Sequence, residues 1–339
     1  MSAVKSDPGF SPCESAPASE GVLGLERSLA LHFGGRLESA RVAWRLIGPA
    51  GAPVVLAMGG ISAHRRVCAE DDGWWGELAG SGRGIDVARY RILGIDYLGG
   101  SGASTGPARG AVGFPSLSAY DQADAIVAVL DALGIDRLHA IVGASYGGMV
   151  ALAFGERHAA RVGRLAVVSA AERAHPLSSA WRAVEREIVR FGIANGDPSG
   201  GLKLARALAM TTYRTPAEFA ERFAGPPRLH AGRFRLPVEE YVFARGDAYV
   251  AVHVPEAFVC LSESIDLHAV DATKIVVPTL AIAIRADQLV PLADVEALVR
   301  RLPHGRLAVL DSLFGHDAFL KEGVRFQPLL LDFLEGPAR

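Results

Sequence analysis

The chain of 339 residues has little excess of either charge: 35 basic against 37 acidic side chains leave a net charge of −2. A dedicated nucleic-acid binder needs a strong basic surplus, so this balance argues against one. It leaves room for an anionic small-molecule ligand. Lysine is scarce. Only Lys5, Lys203, Lys274 and Lys321 occur beside 31 arginines, which reads as a composition bias and not as a functional clue. Cysteine is scarce too. Cys13, Cys68 and Cys260 are odd in number and far apart, so neither a disulfide framework nor a zinc knuckle is indicated. No apolar stretch approaches the ~18 residues of a membrane span. The first twenty residues lack the apolar core of a signal peptide. The expectation is a soluble cytoplasmic protein with no membrane and no nucleic-acid partner.

What is present is an ordinary globular balance, 50% hydrophobic and 21% charged. A chain this long buries a large core without staples. Residues 1–22, rich in Ser, Pro, Ala and Glu, are expected to form a disordered tail. Strand and helix patterns then alternate. Apolar runs at 40–47, 53–58, 90–95, 138–142 and 165–169 read as strands. The segment 117–133 carries Ala123, Ile126, Val127, Leu130 and Leu133 on one helical face. A second helix is expected over 149–158.

The rhythm changes near residue 175. The segment 176–270 reads as helical, broken by Gly196-Asp197-Pro198 and Gly225-Pro226-Pro227, with no clear strand. Strands return at 276–284 and 307–310, with helices at 294–301 and 318–334. Alternation of this kind implies an α/β fold, a mostly parallel sheet with helices on both faces. The core is expected over 23–175 and 271–339, with 176–270 inserted as a helical lid.

Gly143-Ala144-Ser145-Tyr146-Gly147 matches G-x-S-x-G between an expected strand and an expected helix. The motif alone is common; the context makes Ser145 the candidate nucleophile. A serine needs a base, and the base needs an orienting carboxylate. In α/β-hydrolase folds these follow in the order Ser, Asp or Glu, His. Of ten histidines, only His316 follows the last expected strand. Asp287 stands at the carboxyl end of the strand before it. Its rival is Asp311, which also reads as a turn-capping residue. The oxyanion donors are expected to be the backbone N–H groups of Tyr146 and of Ile61, in the loop Gly59-Gly60-Ile61-Ser62. No metal or bound redox cofactor is implied.

The chain resembles the homoserine O-acyltransferases of the α/β-hydrolase fold, the acetyl- and succinyltransferases of methionine biosynthesis. The resemblance runs from about residue 36 to residue 321. It rests on Gly73-Trp74-Trp75, Ser104-Thr105-Gly106-Pro107, Gly143 to Leu152, Thr212-Tyr213-Arg214-Thr215, Val238-Glu239-Glu240-Tyr241 and Gly315-His316-Asp317-Ala318-Phe319-Leu320. It implies a ping-pong transfer from acyl-CoA, acetyl-CoA or succinyl-CoA, through a seryl acyl-enzyme to L-homoserine. It further implies that Asp317 holds the substrate ammonium and Arg186 the substrate carboxylate, with Tyr213 lining the pocket. By residue type alone, Asp317 reads as a helix cap and Arg186 as part of a solvated stripe with Arg182 and Arg190.

The first oxyanion loop departs from the His-Ala-Leu-Thr usual in the family, and Tyr146 replaces a frequent Met. Those departures leave the acyl donor open. A succinyl carboxylate wants a cation, for which Arg65, Arg66 and Arg285 are candidates. Serine as acceptor, a plain serine esterase and a non-catalytic binding protein are the competing readings. A homodimer is compatible with all of them.

Overall fold

The computed structural model describes residues 16–68, 72–111 and 113–336. Eight strands form one sheet: β1 (Ala18–Gly24), β2 (Arg41–Ile47), β3 (Val54–Met58), β4 (Arg91–Ile95), β5 (Ala140–Ala144), β6 (Leu165–Val168), β7 (Thr279–Ile284) and β8 (Gly305–Leu310). Their spatial order is β1-β2-β4-β3-β5-β6-β7-β8. The pairs β1–β2 and β2–β4 are antiparallel and the remainder parallel. The segment expected to be a tail thus gives way to a strand at Ala18, where Ala18 to Gly24 pair with Ile47 to Arg41. Its Ser/Glu/Gly composition hides this, because an edge strand needs only the partner's free backbone groups. Residues 1–15 lie outside the described residues.

Alternate residues of the central strands feed two cores. Leu56, Leu93 and Ile141 pack against helices α1 (Ala119–Ala132), α2 (Tyr146–Arg157) and α8 (Leu292–Arg301). Val55, Ile92 and Val142 pack on the opposite face against Trp75 and helix α10 (Gly323–Glu335). Period-two alternation with apolar residues at both parities is what a sheet covered on both faces requires. Helix α1 starts at Ser118, whose hydroxyl and Asp121 carboxylate close a reciprocal capping box. Cys68 is disulfide-bonded and Cys260 is a buried free thiol.

Between β6 and β7 run helices α3 (Pro176–Ala194), α4 (Pro198–Tyr213), α5 (Pro216–Phe223), α6 (Pro237–Val250) and α7 (Pro255–Asp266). Each begins on a proline, which suits the first helical position because its missing N–H has no partner there. A short hairpin, Arg228–His230 with Arg233–Arg235, interrupts them where no strand was expected. The closing helix of the sequence reading is two helices, α9 (Ala318–Lys321) and α10, separated at Glu322.

The helical segment is clasped to the loops that follow β7 and β8. Ser178 Oγ donates to the Leu289 carbonyl at 2.8 Å, and Gln288 Nε2 donates to the Arg214 carbonyl at 2.9 Å. Thr215 Oγ1 donates to the Leu313 carbonyl at 2.6 Å. Helix and sheet thereby share the two loops in which Asp287 and His316 stand.

Candidate active site

Ser145 sits on the turn from β5 into α2, with φ 55° and ψ −121°. A non-glycine residue in that region is strained and is held there by its surroundings. The surroundings admit only glycine at two flanking positions. A Cβ on Gly143 would lie 2.2 Å from the Gly147 carbonyl oxygen, and one on Gly147 would lie 2.6 Å from the Met58 carbonyl carbon. The spacing of G-x-S-x-G is therefore the close approach of three backbone segments written in sequence.

His316 Nε2 lies 2.8 Å from Ser145 Oγ, and His316 Nδ1 lies 2.8 Å from Asp287 Oδ2. Asp287 Oδ1 accepts the N–H groups of Leu289 at 2.8 Å and Val290 at 3.0 Å, which fixes the carboxylate plane. Burial works against a charged His316 imidazole, but Asp287 beside it outweighs that effect and holds the pKa above the ordinary value. Asp311 stands elsewhere: its carboxylate pairs with Arg285 on the surface, at 2.8 Å.

The Tyr146 N–H opens α2, where backbone donors have no partner within the helix. Ile61 borders the cavity in the turn after β3. That turn is pinned through the Gly59 carbonyl, which accepts from Gly147 N at 2.9 Å and from Tyr97 Oη at 2.7 Å. The two expected donors thus hang on a shared carbonyl. Trp74 covers Gly59 so closely that a Cβ there would meet the ring at 2.7 Å. Trp75 donates its indole N–H to the Phe319 carbonyl at 2.9 Å, tying the chain after His316 to the same loop.

A cavity of about 220 Å³ opens above Ser145 and His316. Tyr213 and Asp317 border it. Asp317 Oδ2 accepts from Arg214 Nε at 2.8 Å.

Arg186 does not border the cavity. Its guanidinium bonds Asp266 Oδ2 at 2.6 Å and the Ser262 carbonyl at 3.1 Å. Arg182 bonds the other oxygen of the same carboxylate, from Nε at 2.8 Å and Nη2 at 2.6 Å. The stripe Arg182–Arg186–Arg190 is thus not a solvated face. Two of its members bind α3 to α7, and only Arg190 is exposed, paired with Glu187. Three arginines border the cavity: Arg182, committed to Asp266, Arg173, which is exposed, and half-buried Arg206 on α4. The Arg206 guanidinium lies 4.7 Å from the Tyr249 ring centre and 5.1 Å from that of Tyr213, and it donates to Tyr213 Oη at 3.2 Å. Among the described residues no carboxylate lies within ion-pair distance of Arg206. The sequence carried a signal for it: an arginine in the apolar run 202–210, seven residues before Tyr213 and so on the same helical face.

Other expectations resolve structurally. Arg65 pairs with buried Asp96 at 2.7 Å, Arg66 faces Asp72 and Glu20, and Arg285 faces Asp311; none borders the cavity. The Ser-Thr-Gly-Pro block is a fastening: Ser104 Oγ accepts from Ala43 N and donates to the Asp96 carbonyl, at 2.8 and 2.6 Å. Among the described residues no cluster suits a metal ion, and no helix is long and apolar enough to cross a membrane.

The sheet order and the strained serine turn are those of the α/β-hydrolase fold, and the family model of that fold matches residues 53–323. The chain is 46% identical over 327 residues to a homoserine O-succinyltransferase of Xanthomonas campestris pv. campestris, covering 95% of this chain and 86% of the relative. It is 31% identical over 371 residues to a homoserine O-acetyltransferase of Clavibacter michiganensis subsp. michiganensis, covering 96% and 95%. The crystal structure of a homoserine O-acetyltransferase from Bacillus anthracis superposes with a TM-score of 0.86 at 18% identity, covering 95% of this chain and 99% of that one, a likeness of fold. The chain belongs to the homoserine O-acyltransferase family.

Proposed function

We propose that the protein transfers an acyl group from an acyl-CoA thioester to the side-chain hydroxyl of L-homoserine. Ser145 Oγ attacks the thioester carbonyl and passes its proton to His316 Nε2. The N–H groups of Tyr146 and Ile61 stabilise the oxyanion, each such donor being worth about 3 kcal/mol. Coenzyme A leaves as the thiol, taking the proton back from His316, and an ester remains on Ser145. His316 then removes the proton of the acceptor hydroxyl, which attacks that ester. The second collapse returns the proton to Ser145. Asp287 keeps the imidazole in the tautomer that presents a free Nε2 and stabilises it when charged.

One observation carries the choice of acceptor. An arginine without a carboxylate partner, Arg206, and an aspartate, Asp317, face the cavity that holds the serine and histidine. An α-amino acid supplies the carboxylate that Arg206 lacks, and its ammonium adds to Arg214 as a partner for Asp317. Arg206 takes the part that the sequence reading gave to Arg186. A simple esterase has no use for either group. Serine differs from homoserine by one methylene, a difference worth about 1–3 kcal/mol in discrimination, so both acceptors belong in the assay. The test is two-stage. Incubation with acetyl-CoA or succinyl-CoA alone is expected to add one acyl mass to Ser145, and homoserine is then expected to remove it as the O-acyl amino acid. Release of the free acid, with no acylated amino acid, refutes the proposal.

A further inference from the structure

The lid helix α3 places a second acid in the cavity, Glu185. The residue is only 3% exposed and borders the cavity, yet among the described residues its carboxyl forms neither a hydrogen bond nor an ion pair. A buried carboxyl without partners is costly, and such groups are kept neutral or kept for a ligand. We propose that Glu185 is a specificity-determining residue of the acceptor site: as a neutral carboxylic acid it donates to the acceptor carboxylate that Arg206 binds, so the amino acid enters together with a proton from solvent. This inference rests on the reading of Arg206 given above.

The surroundings favour that role. On α3 itself, Arg182 and Arg186 are both committed to Asp266 of α7, each with a contact of 2.6 Å. From α4 come Arg206 and Tyr213, and from α6 Tyr249, whose hydroxyl accepts from Ser62 Oγ at 3.1 Å. Beyond Arg206 stand His316, held by Asp287, and Asp317, held by Arg214. Arg173, His175 and Asp294 also border the cavity, but Arg173 is exposed and His175 and Asp294 are half-buried. Of the acids bordering it, Glu185 is thus the buried one that no cation pairs with, and Arg206 is the half-buried arginine that no carboxylate pairs with. Desolvation pushes the Glu185 pKa up to about 7, against the pull of Arg182 and Arg206. Arrival of a second carboxylate drives it higher still, because two carboxylates sharing a site do not both ionise. Ionised Glu185 instead competes with the acceptor for Arg206 and repels it.

The test follows the acceptor KM from pH 6 to 8.5 in the intact enzyme, with acylation of Ser145 by the donor alone followed in parallel. Wild type is expected to show a constant homoserine KM below neutrality, rising above it by up to about tenfold per pH unit. In Glu185→Gln, whose amide donates without titrating, that rise is expected to vanish. In Glu185→Met the rise is also lost, but KM is higher throughout, on the order of tenfold, for want of a donor to a charged group. Donor acylation is expected to show only the acid limb set by His316 in every form. An alkaline rise that persists in Glu185→Gln overturns the proposal. So does a KM raised equally at all pH values in that variant, which assigns Glu185 to the ammonium. A third arm uses 2-amino-1,4-butanediol, the acceptor without its carboxylate. If it is acylated as readily as homoserine, the reading of Arg206 fails; if homoserine is strongly preferred and the pH rise persists in Glu185→Gln, only the role of Glu185 fails.

Discussion

The two halves of the cavity treat their polar groups in opposite ways. On the sheet side every group is provided for: Ser145 by His316, His316 by Asp287, Asp287 by two backbone N–H groups, and the loop of Ile61 by Tyr97 and Gly147. On the helix side Glu185 is buried and Arg206 half-buried, and among the described residues neither has an ionic partner. The sheet half is complete before any substrate arrives. On the proposed reading, the helix half is completed by the substrate's own charges. The proposed ping-pong transfer would use this division, since its first half-reaction involves no amino acid and its second depends on one.

The strongest break in the comparison is Ser145→Ala. Loss of the nucleophile is expected to cost ~10⁶ in turnover, with both half-reactions lost together. Intact-mass measurement after incubation with acyl-CoA checks it; an acyl adduct retained by the variant removes Ser145 from its role. Asp287→Asn comes next, with an expected loss of ~10⁴, because an amide holds the imidazole in the wrong tautomer. It also alters the pH profile. Below its pKa His316 carries a proton and cannot serve as base, so acylation falls as pH falls through that value. Asp287 raises the value in wild type, so the acid limb should lie above the ordinary histidine range. Without Asp287, only the weaker pull of Asp317 opposes burial, and the residual limb should move to lower pH.

Arg206→Lys separates the halves. An ammonium cannot copy a guanidinium's paired contact with a carboxylate, and a desolvated contact of that kind is worth about 2–5 kcal/mol. Homoserine KM is expected to rise by well over tenfold while acylation of Ser145 persists. Arg186→Lys is expected to leave KM for homoserine within about threefold of wild type, because a lysine there still faces Asp266 and the residue does not border the cavity. Steady-state and single-turnover assays on both variants decide it; a larger KM effect from Arg186 restores the clamp to that residue.

The contrast also explains what the sequence made legible. Ser145, Asp287 and His316 follow from local rules: each stands just past a strand end, and backbone crowding dictates the glycines around the serine. The alternating core followed from period-two and helical patterns. The helix side obeys no local rule. Whether an arginine in the row 182, 186, 190 faces solvent, a ligand or Asp266 depends on where α7 lies, and Asp266 is 80 residues from Arg186. β1 was missed for a related reason, since its strand character comes from β2 and not from its own side chains. The five helix-opening prolines were visible in the sequence and mark the helix starts better than hydrophobic periodicity did.

The smallest expected effect sharpens the comparison from the sheet side alone. Asp287 and Asp311 are the same residue type in equivalent places, each just beyond the end of a strand, β7 and β8. Only their surroundings differ. Asp287 is 5% exposed and shared between an imidazole and two N–H groups. The Asp311 side chain is 73% exposed and meets Arg285, itself 60% exposed. An ion pair in water gains little, because the solvent screens the charges and ordering two side chains costs entropy; such pairs contribute about 0–1 kcal/mol. The Asp311 carbonyl, which accepts from Arg325, is untouched by a side-chain change. Asp311→Asn is therefore expected to leave both half-reactions at wild-type rates and to shift the melting temperature by no more than about 2 °C. Stopped-flow acylation and thermal unfolding measure the two quantities. A thousandfold loss of acylation in Asp311→Asn, with Asp287→Asn active, would exchange the roles of the two acids and would mean that burial and hydrogen bonding had not selected the carboxylate that orients His316.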